Sequence, residues 1–526
     1  MKINNIHIHN FRSIQDTVVY FQDYTIIVGE NNVGKSNIVD AIRCFYGDIR
    51  FEETDLHNAA HIDDKNSWIE VEYDLTDSEF YSLDKKYQVD FKKLKVRRSL
   101  FPSKPFQAYT VKGLERGGFC GKRSSKTDFL GNLIYVPAVV DVKENTKMSG
   151  TSALNGLVSM ICKNPNFQKE FEEKILPMMD FAMPYIEKIG QDVSNEISSA
   201  GVRVNITPRR ITPEEMLKFI ISMNIEDHAG MMNLEQMGTG VQRRIIAALI
   251  KLSAKYASEA NFKQRQDSIN NAQVDWLMQQ TKKEPNMFLP KMNLLLFEEP
   301  EVSLHPAAVN DLAYDIKKFS SIPNQQVIVT THSPQLVSQD IMDLKGIIRT
   351  ERDGPETKIH QNKIPDSELQ LAKNMVYFDR PRSDIFFAKK VILVEGPTEY
   401  MLYNYLCRRG DLPNSLTQNV TLIETVGKWS MPYFLKVLNN YNIRHAVLYD
   451  QDGDPNRQDN QDVKAEFSTL TDYSYSWPKD IETFCGIKKQ GNPAINIINK
   501  FEDGTIPKQK QDEVVQVFKD LLTKHR

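Results

Sequence analysis

Eight residues near the start of the chain, Gly29-Glu30-Asn31-Asn32-Val33-Gly34-Lys35-Ser36, match G-x-x-x-x-G-K-[ST], and their context narrows the meaning. The apolar run Tyr24-Thr25-Ile26-Ile27-Val28 before them predicts a buried strand, and Asn37 to Tyr46 after them suits a helix. A chain that sets a glycine-rich turn between a buried strand and a helix N-terminus is committed to an α/β core whose loop cradles phosphate with backbone N–H groups. In such a loop Lys35 reaches the β- and γ-phosphates and Ser36 ligates Mg²⁺, while Gly29, Asn31, Asn32 and Gly34 complete the cradle. The sequence therefore predicts binding of ATP or GTP.

The 526 residues exceed the roughly 250 to 300 at which one core stops growing, so two or more domains are expected. Hydrophobic content of 40% and charged content of 26% fit globular domains, and no apolar run approaches the roughly 20 residues of a membrane span. The N-terminus enters a strand pattern without a signal-peptide core, so a cytoplasmic protein with no membrane partner is expected. The cysteines Cys44, Cys120, Cys162, Cys407 and Cys485 are scattered and lack C-x-x-C spacing, which points to neither a disulfide framework nor a zinc site. A net charge of −3 gives no global attraction to nucleic acid, so any such contact must come from local basic surface.

Downstream, Asn293-Leu294-Leu295-Leu296-Phe297-Glu298-Glu299-Pro300 reads as a buried strand ending in paired carboxylates, a Walker B pattern with Glu298 in place of the usual Asp. There Glu298 holds Mg²⁺ through water, and Glu299 orients or deprotonates the attacking water. Val327-Ile328-Val329-Thr330-Thr331-His332-Ser333-Pro334 is another strand with a polar end, placing His332 to sense a γ-phosphate. Between the phosphate loop and the Walker B strand, Met237-Gly238-Thr239-Gly240-Val241-Gln242-Arg243-Arg244 offers glycine-rich backbone before a helical pattern, suited to capping phosphates.

A new pattern begins near Pro381. Val391-Ile392-Leu393-Val394-Glu395-Gly396-Pro397-Thr398-Glu399 reads as strand, turn and helix, with Glu395 at the strand end and Glu399 at the helix start. His445-Ala446-Val447-Leu448-Tyr449-Asp450-Gln451-Asp452-Gly453-Asp454 is a strand whose end carries Asp450 and Asp452, expected on one side of an extended chain. These carboxylates are hard ligands suited to Mg²⁺, with Mn²⁺ as an alternative, and phosphoryl chemistry is their natural use.

The phosphate loop, the glycine-rich signature, E-E-P-E-V-S-L-H-P and T-H-S-P, in that order, resemble an ABC-type ATPase head, and E-G-P-T-E with D-Q-D resembles a Toprim domain. Together they resemble the OLD (overcoming lysogenization defect) family of ATP-dependent nucleases, similar to Gabija-type defence nucleases. The resemblance implies an α/β fold: an ABC-type P-loop ATPase head with a helical insertion, followed by a C-terminal Toprim α/β domain. The expected boundaries are 1–145 for the first part of the head with Walker A, 146–205 for the insertion and dimerisation region, 206–380 for the rest of the head, and 381–526 for Toprim. It implies a homo-dimer or higher homo-oligomer in which Gly238, Thr239, Gly240 and Gln242 act on ATP across the interface. Gly238 stands in place of the signature serine, which implies slow turnover.

By the same resemblance Glu482, with Asp480 beside it, adds acid to a two-metal site, and a late lysine, assigned to Lys508 with Lys510 close behind, stabilises the phosphate. The implied function is an ATP-governed, metal-dependent DNA endonuclease in anti-phage defence, with room for a helicase or effector partner. The alternative from another class is an ATP-gated sensor or scaffold that binds nucleic acid and holds an effector.

Overall fold

The computed structural model describes residues 1–57, 64–115, 118–119, 130–138, 158, 162, 165–196, 212–220, 225–227, 230–232, 238, 241–242, 245, 248, 292–302, 304–337, 341–372, 382–425, 427–453, 458–471, 473–488 and 491–524. They fall into two compact units: Met1–Tyr135 with Leu294–Glu301 and Pro306–Arg526, and Val136–Asn293 with Val302–His305.

The first unit contains three sheets. One is antiparallel, in the order β2 (Ile14–Tyr20), β1 (Lys2–Phe11), β4 (Ser67–Asp74), β5 (Lys93–Phe101), β6 (Gln107–Thr110) and β7 (Gly113–Leu114). Its first strand alternates, with Ile6 and Ile8 buried between partly exposed His7 and His9, as a sheet with one covered face requires. The second sheet orders β14 (Glu356–Gln361), β13 (Ile347–Asp353), β3 (Tyr24–Val28), β12 (Gln325–Thr331), β11 (Asn293–Glu298) and β8 (Asn132–Val136). β3 runs parallel to both β12 and β13, and β3 and β12 are buried along almost their whole length because both faces are covered. β12 lies between β3 and β11, so the residues that follow all three strands meet at one edge.

The third sheet is parallel throughout, in the order β16 (Val420–Glu424), β15 (Lys390–Val394), β17 (Arg444–Asp450) and β18 (Ser474–Trp477). Strand alternation sends Val391, Leu393, Val447 and Tyr449 into one apolar cluster, and Ile392, Val394, Ala446 and Leu448 into another. The first cluster also contains Ile26 and Val28 of β3, so the strand feeding the phosphate loop and the sheet carrying the acids share one core. Ile385 and Phe386 reach that core from a 3₁₀ turn, Arg382–Phe387.

In the second unit a helix Pro165–Glu170, a π-helical turn Phe171–Ile175 and a helix Leu176–Glu196 follow one another. A helix Pro213–Ile220 and an antiparallel hairpin of β9 (Ile225–Asp227) and β10 (Gly230–Met232) complete its described elements. Phe171 is buried, whereas Met178 and Phe181 are exposed. Among the described residues no helix is long and apolar enough to cross a membrane. Cys44, Cys407 and Cys485 are free thiols; Cys44, Cys162 and Cys485 are buried and Cys407 is partly exposed.

Candidate functional site

The helix after the phosphate loop, Lys35–Tyr46, starts two residues earlier than the sequence suggests. Gly29 and Gly34 take φ of 151° and 103°, and a Cβ on Gly34 would lie 2.1 Å from Thr357 Oγ1, so both conformation and space demand glycine. Neighbouring strands brace the loop: Thr357 donates to Val33 O at 2.8 Å and Thr350 to Val28 O at 3.0 Å. Asn37 donates to Ser13 Oγ, which shares a 2.6 Å hydrogen bond with Thr357. Asn32 contributes its backbone in the left-handed region, with φ of 62°, and the side chains of Glu30 and Asn31 remain exposed.

Lys35 is 5% exposed and donates to Gly29 O at 3.1 Å and Glu30 O at 2.7 Å. Burial pulls its ammonium down to about 8, against the pull of Glu299, Glu301 and Glu298. Ser36 donates to Glu298 Oε1 at 2.5 Å, and Tyr135 donates to Oε2 at 2.5 Å, so the serine and Walker B acid expected to share one cation already touch. Glu299 has φ of 42°, accepts His332 Nε2 at 3.1 Å, and is held by its N–H to Thr330 O at 2.9 Å. Burial and Lys35 depress His332, which favours a neutral ring at neutral pH. Glu301 Oε1 accepts from the His332 N–H at 2.8 Å and from Thr331 Oγ1 at 2.7 Å, a brace that the motif reading did not assign.

Of the signature, Gly238 begins a turn in which its carbonyl accepts from Val241 and Gln242, and Gln242 is buried. Thr239 and Gly240 lie outside the described residues.

The second cluster forms at the carboxyl end of the parallel sheet. Glu395 follows β15 and accepts the Asp450 N–H at 2.9 Å, locking two strand ends together. Glu399 sits in the first turn of the helix Pro397–Arg409, 3% exposed, and Glu482 is buried in the first turn of Ile481–Phe484, whose N-cap is Asp480. Burial, then Glu399, Glu395, Asp480 and Glu482, push Asp450 up to about 9. Burial, then Glu395 and Glu482, raise Glu399 to about 7, and burial also raises Glu395. Acids crowded in this way cannot all ionise without a compensating cation.

Asp450 Oδ1 and Glu482 Oε1 are buried without a hydrogen-bond partner. Two orphaned carboxylate oxygens within an all-oxygen donor set fit a hard divalent cation, although among the described residues no three side chains already form a coordination sphere.

Two expectations change. Asp452 does not continue an extended chain beside Asp450: the strand ends at Asp450, and Asp452 turns into the left-handed region at φ 51°, its N–H bonded to Lys479 O at 3.0 Å. Lys508 pairs with Asp512 on its own helix at 3.0 Å, and Lys510 pairs with Glu513 while its ammonium sits 4.1 Å from the Phe484 ring centre. The lysine that touches the acids is Lys428, 2% exposed, which donates to Asp452 Oδ2 at 2.6 Å. Its sequence signal, a Gly-Lys pair after a short strand, is too common to stand out.

The chain matches the AAA ATPase domain family over residues 1–181 and 152–337, and the overcoming lysogenization defect protein-like TOPRIM domain over 386–452. It is 24% identical to the Old nuclease of Escherichia phage P2 over 491 residues, covering 86% of this chain and 77% of that one. It is 23% identical to Endonuclease GajA of Bacillus cereus (strain VD045) over 466 residues, covering 86% and 75%. Among solved structures, the SMC head bound to the C-winged helix domain of ScpA is similar at a TM-score of 0.39 and 16% identity, covering 70% of this chain and 99% of that one. With its phosphate loop and Walker B pair at one sheet edge and its acids at another, the chain belongs to the AAA ATPase domain family and carries an OLD-like TOPRIM domain.

Proposed function

We infer that this chain is an ATP-regulated, divalent-metal-dependent DNA endonuclease of the OLD type, acting in the cytoplasm in defence against phage. The observation that carries the reading is the acid cluster with its two orphaned oxygens, built on the same core as the strand that feeds the phosphate loop. Glu395, Glu399, Asp450, Asp452 and Glu482 would hold Mg²⁺ or Mn²⁺, which supplies Lewis acidity for phosphodiester hydrolysis. Glu395 fixes the Asp450 backbone, so two ligands from different strands keep one geometry.

In the ATPase, Lys35 would exchange its loop carbonyls for phosphate oxygens. Ser36 and Glu298 would hold the nucleotide's Mg²⁺, and Glu299, oriented by neutral His332, would receive the proton of the attacking water. Coupling has a material basis: Arg349, on the strand beside β3, donates to Tyr441 O at 3.2 Å, and Lys389 pairs with Glu30 of the phosphate loop at 3.2 Å. A change in the loop therefore bears directly on the acid-bearing sheet.

The reading is tested by plasmid cleavage with Mg²⁺ or Mn²⁺ and with a chelator: cutting is expected only with metal, and cutting that survives chelation overturns it. A homo-dimer is part of the proposal. Met178, Phe181, Tyr185, Ile189 and Val193 form an exposed apolar stripe along one helix, at the three-to-four-residue spacing of a single face, suited to a second copy. Phe181→Asp with Ile189→Asp is expected to leave a monomer in analytical ultracentrifugation; an unchanged dimer would remove this helix from the interface.

A further inference from the structure

Among the described residues the acid cluster contains one buried cation, and its bonds go to the acids and the turn that carries them. Lys428 lies in the loop after β16, and all three of its ammonium protons are used: Asp452 Oδ2 at 2.6 Å, Asn460 Oδ1 at 2.8 Å and Asp450 O at 3.2 Å. The residue before it, Gly427, donates its N–H to the Glu395 carbonyl at 3.1 Å. One side chain thus touches two of the five acids, Asp452 through its carboxylate and Asp450 through its strand-end carbonyl. Asn460 passes the tie onward, donating to Gln451 O at 2.6 Å, so the residue between the two aspartates is also fixed.

We infer that Lys428 is a positioning residue that presets the Asp450-Gln451-Asp452 turn for metal binding. Asp452 occupies a left-handed conformation that an aspartate adopts only with local support, and the ammonium supplies it from the side-chain end while Lys479 O holds the backbone. The Lys428 side chain is 3% exposed and its ammonium bonds are made within the protein, so it acts through the acids and not on substrate. The sign of its effect separates this role from plain charge. An ammonium and a metal ion repel, so if Lys428 served only as a charge, removing it would tighten metal binding. If it presets the turn, removing it weakens metal binding.

The inference rests on the metal-dependent reading above, and the test keeps the two apart by measuring Mn²⁺ binding to the full chain without DNA, by calorimetry and electron paramagnetic resonance. Lys428→Met is expected to bind Mn²⁺ about 10–100-fold more weakly, the range for loss of a group that orients metal ligands. The Mn²⁺ concentration for half-maximal cutting is expected to rise by the same factor while the rate at saturating metal is retained. ATP affinity is expected to be unchanged, which reports an intact fold. Asn460→Ala keeps the ammonium and removes one anchor; it is expected to shift Mn²⁺ affinity in the same direction by less, and it decides the matter if Lys428→Met does not fold. Mn²⁺ affinity equal to or tighter than wild type in the folded variants overturns the inference alone, whereas a wild-type chain that binds no Mn²⁺ overturns the functional reading beneath it.

Discussion

Asp450→Asn is expected to reduce DNA cleavage by about 10³-fold or more, since a metal ligand's charge supplies several kcal/mol of transition-state stabilisation. The substitution is nearly isosteric and keeps the Asp450 N–H that Glu395 accepts, so the two strand ends stay joined. It removes only the charge, and Asp450 is where charge is least tolerated, pushed up to about 9 by burial and four neighbouring acids. The metal-free variant is therefore expected to melt no lower than wild type, because a neutral amide relieves a crowded buried carboxylate. Cleavage and thermal melting together separate the roles: a fall in both would make Asp450 a structural residue, and unaltered cleavage would remove it from the active site.

Lys35→Ala is expected to weaken ATP binding by roughly 10²–10³-fold, the equivalent of one or two charge-assisted hydrogen bonds at about 1.5–3 kcal/mol each. Lys35 donates to Gly29 O and Glu30 O, so the loop's shape is partly written by the same ammonium that would bind phosphate. Its loss exposes no large cavity, and Thr350 and Thr357 still clamp the loop, so the fold is expected to survive. Calorimetric titration with ATP measures the effect. An affinity within a few-fold of wild type would mean that the phosphates do not engage this loop.

The chemistry was legible where it is local. The glycines, Lys35 and Ser36 are contiguous, and Glu298, Glu299, His332, Glu395 and Asp450 all sit at or just beyond the end of an apolar strand, where parallel sheets place their polar groups. What could not be read are partners brought in by long-range packing. Tyr135 meets Glu298 across 163 positions, and Thr357 meets Val33 across 324. No spacing rule connects such pairs, because the sheet order that joins them is a property of the whole fold. The Asp452 turn was missed for a different reason: strand alternation extends only as far as the ladder does, and the ladder stops at Asp450. Lys428 combines both difficulties, since it is 24 positions from Asp452 and in a different loop.

The central claim is that one half of this chain governs the other, and plasmid cleavage at fixed Mg²⁺ across a range of ATP concentrations tests it most directly in wild type, Lys35→Ala and Glu299→Gln. The wild-type rate is expected to change with ATP, Lys35→Ala to be insensitive to it, and Glu299→Gln, which binds ATP but lacks the proton acceptor, to hold the ATP-bound rate. Three chains cutting at one rate, with and without ATP, would contradict the account and leave the Toprim site independent of the ATPase.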